Sequence, residues 1–441
     1  MNSSDICISN ASVLTMCSEP EYLDSAYIHI KDGEIIYIGN KPPNYIAKKT
    51  IDATNCLVIP GFVNSHTHVS MSLFRGLADD LPLMTWLNDY IFPVERNMDS
   101  EFVYVGALVG IAEMLLSGTT TFCDMYLFED SVARAAKEMN VRCLIGEVLY
   151  DFPSPNYGPI EKGFEYTEML IEKYRDDSLI NIAVMPHATF TCSDTLLCKA
   201  KELANKHDVL LFIHVSETKT EVELIKARYG KTPVGFLYDL GVLDSKTIAA
   251  HCVHLTDDDI EKIFATNTKV VFNPESNMKL ASGIPKIWEI KRKGITCGIG
   301  TDGPASNNNL DMIEEMDTLA KIAKLGSGDP SCLTAKDVLH MATIMGAKTL
   351  GLDKYIGSIE VGKRADMVIL NMKSPHLIPC YDPYSTIVYS AKGSDVRDVI
   401  VDGKLVVENG CLTFMDWNEI KLKAQGFVEK VRLWTKKASS M

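Results

Sequence analysis

Between about residue 58 and residue 302 the chain alternates strand-like apolar runs with helical patterns about eight times, and this alternation constrains its fold more than any other feature. The apolar runs fall at 58–64, 119–124, 142–148, 182–187, 209–214, 247–251, 269–273 and 296–302. Helical periodicity fills the gaps, as at 101–116, 130–139, 194–206 and 257–265. Strands separated by helices pair in parallel, and eight such units in about 300 residues predict an α/β chain built on a (β/α)8 TIM barrel.

The two ends read differently. Strand-like runs at 6–15, 26–31 and 34–38 enclose an Asp32-Gly33 turn, and runs at 365–371, 396–401 and 404–408 enclose Asp402-Gly403; both are hairpin signals. Neither tract is long enough to bury a good core alone. The two are expected to meet as one small β-sandwich domain, residues 1–58 with 363–441, into which the barrel, residues 59–362, is inserted. The charged segment 417–437 reads as an amphipathic helix covering the fold.

A chain of 441 residues that is 46% hydrophobic and 23% charged is globular, neither disordered nor fibrous. Its formal charge of -14 opposes binding to nucleic acid or to an anionic membrane surface, and no stretch approaches the roughly 20 uninterrupted apolar residues of a membrane span. A small-molecule partner fits better, and a homo-oligomer is compatible with everything read here. The 12 cysteines are scattered without C-x-x-C spacing and no export signal precedes them, so a cytoplasmic location with reduced thiols is expected.

Five of the ten histidines sit at or just beyond the end of a predicted barrel strand. His66 and His68 are two apart in an extended run, so their side chains share a face. Alone, that pair is weak evidence. His187, His214 and His251 end three further strands, however, and Asp302 closes another. The C-terminal ends of all barrel strands surround one mouth, so these residues become neighbours there. Imidazole and carboxylate suit a divalent ion, and His66, His68, His214 and Asp302 are expected to hold one per subunit: zinc first, with iron(II) or manganese(II) also compatible with the ligand set. Glu217, three residues beyond His214, is the best general base and acid.

Several segments together resemble the amidohydrolase superfamily: Pro60-Gly61-Phe62-Val63-Asn64-Ser65-His66-Thr67-His68, His214-Val215-Ser216-Glu217, Thr301-Asp302-Gly303 and the late Gly357-Ser358-Ile359-Glu360-Val361-Gly362-Lys363-Arg364-Ala365-Asp366. His187 stands where binuclear members carry a bridging lysine, which implies a mononuclear site. More narrowly, the chain is similar to the 5-methylthioadenosine/S-adenosylhomocysteine deaminases. That resemblance implies that Glu95, in Ile91-Phe92-Pro93-Val94-Glu95, binds ribose hydroxyls, with Trp86 lining the same substrate site. It implies too that His187 contacts the purine and that His251 orients the attacking water or polarises the reacting centre. Two departures stand out. Glu147 lies where an arginine would meet the carboxylate of a homocysteine tail, which argues against S-adenosylhomocysteine, and Met345 replaces a frequent asparagine.

The implied reaction is hydrolytic deamination of a 5′-substituted adenosine (5′-methylthioadenosine, S-adenosylhomocysteine, 5′-deoxyadenosine or adenosine) to the inosine analogue and ammonia. Metal-activated water attacks C6, Glu217 moves a proton from that water to N1, Asp302 carries a second proton to the amino group, and His251 stabilises the new oxygen. Two other readings use the same scaffold. One is a hydrolase of another ring, such as guanine, a pterin or an s-triazine, against which a ribose-binding Glu95 argues. The other is a non-catalytic assembly protein, which would be expected to have lost metal ligands.

Overall fold

The computed structural model describes residues 2–438. Eight parallel strand positions carry the inner wall: β1 (Phe62–Thr67), β2 (Thr119–Tyr126), β3 (Arg142–Leu149), β4 in two pieces (Ile180–Ile182 and Met185–Pro186), β5 (Leu211–Val215), β6 (Thr247–His251), β7 (Lys269–Phe272) and β8 (Cys297–Ile299). They form two curved parallel sheets, β1 to β4 and β5 to β8. Val184 bridges to Leu211 and Ala188 to His214 across one seam, and Thr67 bridges to Asp302 across the other. The second seam is reinforced by Asn64, whose amide donates to Thr301 Oγ1 at 2.8 Å and whose Oδ1 accepts from Thr301 N at 3.1 Å. The architecture is TIM-barrel-like, as the alternation predicts.

Most of these strands are buried on both faces, as parallel strands between helices are. Among the covering helices are α1 (Ser100–Leu116), α2 (Glu129–Glu138) and α3 (Lys219–Tyr229). The helix α4 (Trp417–Ala438) lies on α1, where Phe427 and Trp434 meet the Phe102 ring at centroid distances of 5.2 and 5.5 Å. It also contacts the Phe92–Glu95 turn.

Both chain ends build one nine-stranded sheet, joined where Met367–Asn371 pairs antiparallel with Cys56–Pro60. Residues 58–64 are thus two strands rather than one. The first half belongs to the terminal sheet and the second to the barrel, and Gly61 marks the junction because a Cβ there would fall 2.0 Å from Thr120 Oγ1. The strand Tyr45–Asp52, parallel to Asn2–Leu14, carries no sequence signal strong enough to be expected. The sheet is tied to the barrel floor by buried Arg142, which donates to Asp366 at 2.9 Å and to Asp402 at 3.3 Å. Among the described residues no helix is long and apolar enough to cross a membrane.

Candidate active site

The strand ends deliver the predicted side chains to one point. His66 lies in β1 and His68 just past it, His214 in β5 and Asp302 beyond β8. His66 Nε2 is 3.2 Å from His214 Nε2 and 3.3 Å from Asp302 Oδ1, while His68 Nε2 is 3.2 Å from the same oxygen. In a tetrahedron of zinc–nitrogen bonds about 2.0–2.1 Å long, neighbouring ligand atoms lie about 3.3 Å apart, so these atoms sit at the edges of such a polyhedron.

The protonation pattern agrees. His68 Nδ1 lies 2.5 Å from Met125 O and His214 Nδ1 lies 2.8 Å from His187 O. A carbonyl only accepts, so both Nδ1 atoms carry hydrogen, which makes Nε2 of each neutral ring the atom that would offer a lone pair to the centre. Burial lowers His214 well below the ordinary histidine range and lowers His66 to about 4, so these rings are neutral and their facing lone pairs call for a cation. His68 differs: burial pulls it down, but the Asp302 hydrogen bond and charge prevail and raise it to about 9. Burial pushes Asp302 up, but hydrogen bonds from His66 and His68 and the charges of His68 and His251 prevail and hold it well below the carboxylate range. Ser276 and Ser306 donate to its other oxygen at 2.6 and 3.1 Å, which orients Oδ1 toward the imidazoles.

The remaining predicted residues ring this point. His251 Nε2 is 3.8 Å from Glu217 Oε2, and its Nδ1 is 2.9 Å from Asn277 Oδ1. His187 is held through Nδ1 by Thr191 Oγ1 at 2.8 Å. Ser216, His251 and Asp302 all have left-handed backbones, with φ of 54°, 69° and 61°. Such strain in side-chain-bearing residues persists where surrounding structure holds it, and His251 and Asp302 line the cleft from these strand ends. Burial raises Glu217 above its ordinary value, opposed by His251.

A cleft with about 730 Å³ of empty space, part of it open to solvent, extends from this point. Its far wall is the segment Leu83–Glu95, whose central turn Trp86–Ile91 is a π-helix. The five-residue spacing of that turn sets Trp86 and Ile91 on one face, and Trp86, Leu87, Ile91, Phe92 and Glu95 all line the cleft. Glu95 is only 8% exposed and accepts from Tyr126 Oη at 2.7 Å. Burial among these apolar groups raises it to about 7, opposed by Tyr126 and His68.

The amidohydrolase family model matches residues 57–406. The chain belongs to the amidohydrolase family. A 5-methylthioadenosine/S-adenosylhomocysteine deaminase of Syntrophobacter fumaroxidans is 47% identical over 419 residues, 94% of this chain and 96% of that protein. A 5′-deoxyadenosine deaminase of Methanothermobacter thermautotrophicus is 44% identical over 420 residues, 92% and 96% of the two chains. The crystal structure of an adenosine deaminase from Xanthomonas campestris with bound zinc superposes with a TM-score of 0.95 at 35% identity, covering 98% of this chain and 99% of that one.

Two features of this amidohydrolase depart from what its sequence suggests. Glu147 does not face the cleft. It is fully buried behind β3, where its carboxyl accepts from Glu129 N at 3.1 Å, at the start of α2, and from Asn156 Nδ2 at 2.8 Å; burial raises it to about 7. Its successors Val148 and Tyr150 line the cleft instead. The expected clash between Glu147 and a substrate carboxylate is therefore removed.

Glu221 was invisible as a site residue, because a glutamate in the first turn of a helix is an ordinary helix feature. It is 3% exposed and accepts from Glu217 N at 2.8 Å and from Thr189 Oγ1 at 2.8 Å. A single carboxyl thus joins the loop bearing Glu217 to the loop after His187. Each of the 12 cysteines is a free thiol and none lines the cleft.

Proposed function

We infer that this chain hydrolytically deaminates 5′-substituted adenosines, releasing ammonia and the inosine analogue. The observation that carries this reading is one cleft lined by His68, His214 and Asp302, which meet His66 beneath it, together with Glu217 and a buried carboxyl, Glu95. The deaminase relatives, alike over nearly their whole length, support it.

A divalent ion held by His66, His68, His214 and Asp302 would supply the Lewis-acid charge that makes water nucleophilic near neutral pH, with zinc favoured by the three-imidazole set. Among the described residues the two candidate groups, His66 with His68 and His214, and His66 with His251 and Asp302, share His66, and His187 nearby is tied to Thr191, which supports one ion per subunit. Glu217 receives a proton at its carboxylate and delivers it to ring N1, which draws electron density from C6. Asp302 carries a second proton to the amino group. His251, 3.8 Å from Glu217, stabilises the oxygen that becomes the product carbonyl. His187 contacts the purine, Glu95 accepts from the ribose hydroxyls and Trp86 covers the sugar.

The two-part organisation belongs to the same reading: a barrel inserted between chain ends that close as a β-sandwich. The apolar cluster of Ile8, Ile28, Ile30, Val58, Met367 and Ile400, drawn from both ends, supports it. Glu217→Gln tests the mechanism through ammonia release from 5′-methylthioadenosine, with metal content measured in parallel. Activity should fall by about 10³-fold or more with metal retained. Near-normal turnover in a metal-loaded variant would overturn the assignment.

A further inference from the structure

The loops that carry the two serines orienting Asp302 meet at a buried carboxyl outside the cleft. Glu315 lies in the first turn of the helix Met312–Ser327 and is fully buried, whereas its neighbour Glu314 is exposed. An acid that only served the helix end would gain as much at the exposed position. Burial, and then the charge of Glu275, raise Glu315 well above the carboxylate range, so its placement has a cost that its contacts must offset. Those contacts reach two loops. Glu315 Oε1 accepts from Asn307 Nδ2 at 2.5 Å, and Oε2 accepts from Glu275 N at 3.4 Å. The Glu275 carboxyl returns the link, accepting from Thr318 Oγ1 in the same helix at 2.9 Å and from Asn309 Nδ2 at 2.8 Å.

Both loops bear on the reacting groups. Asn307 follows Ser306 in the chain and also donates to Thr301 O, next to Asp302, at 2.8 Å. Glu275 lies at the start of the short helix Pro274–Lys279. In that helix Ser276 donates to Asp302 at 2.6 Å and to Ser306 Oγ at 3.1 Å, and Asn277 Oδ1 meets His251 Nδ1 at 2.9 Å. The loop after β7 thus supplies a donor to Asp302 and the partner that sets the His251 ring, while the loop after β8 carries Asp302 itself. Glu315 ties one loop to the other without lining the cleft. We propose that Glu315 is a positioning residue: through Asn307 and the Glu275 amide it fixes Asp302 and His251 relative to each other, and so sets the metal-binding oxygen against the group that stabilises the product oxygen. Its part in catalysis rests on the deaminase reading above, whereas its part at the metal site does not.

The test compares Glu315→Ala, Glu315→Gln and Asn307→Ala with the wild-type protein in zinc affinity, in the visible spectrum of the cobalt(II)-substituted protein and in ammonia release from 5′-methylthioadenosine. Removing a group that orients a metal ligand typically costs about 10- to 100-fold in affinity or activity. Glu315→Ala should therefore bind zinc at least about tenfold more weakly and shift the cobalt spectrum, and its zinc-saturated form should lose about 10- to 100-fold in kcat with KM within about threefold. Glu315→Gln, which keeps an oxygen to accept from Asn307, should recover most of each loss. Asn307→Ala cuts the same link from the other side and should show the same three changes, so it carries the test if Glu315→Ala does not fold. Ser276→Ala should cost less in kcat when added to either alanine variant than when made in the wild type, because both changes act through Asp302. Wild-type zinc affinity and cobalt spectrum in a folded alanine variant would overturn the proposal, as would kcat losses that simply multiply with Ser276→Ala, or Glu315→Gln as impaired as Glu315→Ala. If the wild-type protein released no ammonia from any adenosine, the deaminase reading would fail, while zinc affinity and the cobalt spectrum would still decide the part played by Glu315.

Discussion

Replacing Glu95 with glutamine removes one charge from the cleft while keeping its shape. The oxygen that accepts from Tyr126 Oη at 2.7 Å survives in the amide, so the local packing is preserved. What is lost is a charged acceptor for two sugar hydroxyls. A hydrogen bond to a charged group contributes about 1.5–3 kcal/mol, so kcat/KM for 5′-methylthioadenosine should fall about 10- to 150-fold. The loss should vanish on the 2′,3′-dideoxy analogue, which has nothing to donate. The two enzymes should also differ in their pH dependence. Glu95 is raised to about 7 by its burial, and the ionised fraction, which binds, grows about tenfold between pH 6 and pH 8. The ratio of wild-type to Glu95→Gln activity should rise by that factor over the same interval. Stability runs the opposite way. Because the folded pKa lies above the unfolded value of 4.5, the Glu95 contribution to stability is full below pH 4.5 and is lost as pH rises through 7. The variant, free of that cost, should be the more stable protein at pH 8, by up to about 3 kcal/mol. Steady-state kinetics on the diol and dideoxy substrates, with urea unfolding at pH 4.5 and 8, would decide the matter. Equal losses on both substrates would refute the sugar assignment.

Glu221→Ala strips acceptors from buried Glu217 N and Thr189 Oγ1; we expect a stability loss of about 2–4 kcal/mol by chemical denaturation and a fall in kcat larger than the change in KM. Glu221→Gln, which keeps one acceptor oxygen, should recover part of both. Arg142→Met leaves Asp366 without its buried cation, while Asp402 keeps Arg364 at 2.5 Å, and should cost about 3–5 kcal/mol, read as a lower urea midpoint. Chelation should abolish ammonia release and lower the thermal midpoint, and zinc at about 100-fold above its Kd should restore about 2.7 kcal/mol. An unchanged midpoint after verified metal removal would count against the histidine and Asp302 set as a metal centre.

The fold and the reactive floor of the cleft were legible because both rest on short-range regularities. His66 and His68 share a face through the period of an extended strand, and the ends of successive parallel strands meet by topology alone, so His214 and Asp302 could be assembled without coordinates. What the sequence concealed has a common physical origin in burial on both faces. Strand β3 is buried at every position, so no polar alternation reveals which residues point inward. Glu147 was therefore readable as buried but not as facing outward, and one step of phase separates it from Val148, which does line the cleft. The same uniform burial hid the break at Gly61, where one apolar run serves two different sheets. Glu221 was hidden for a second reason, and Trp86 was reached only through the family resemblance. A carboxyl that holds another residue's backbone, and a π-turn that rotates an aromatic ring into a cleft, are properties of tertiary contacts and leave no period in the chain.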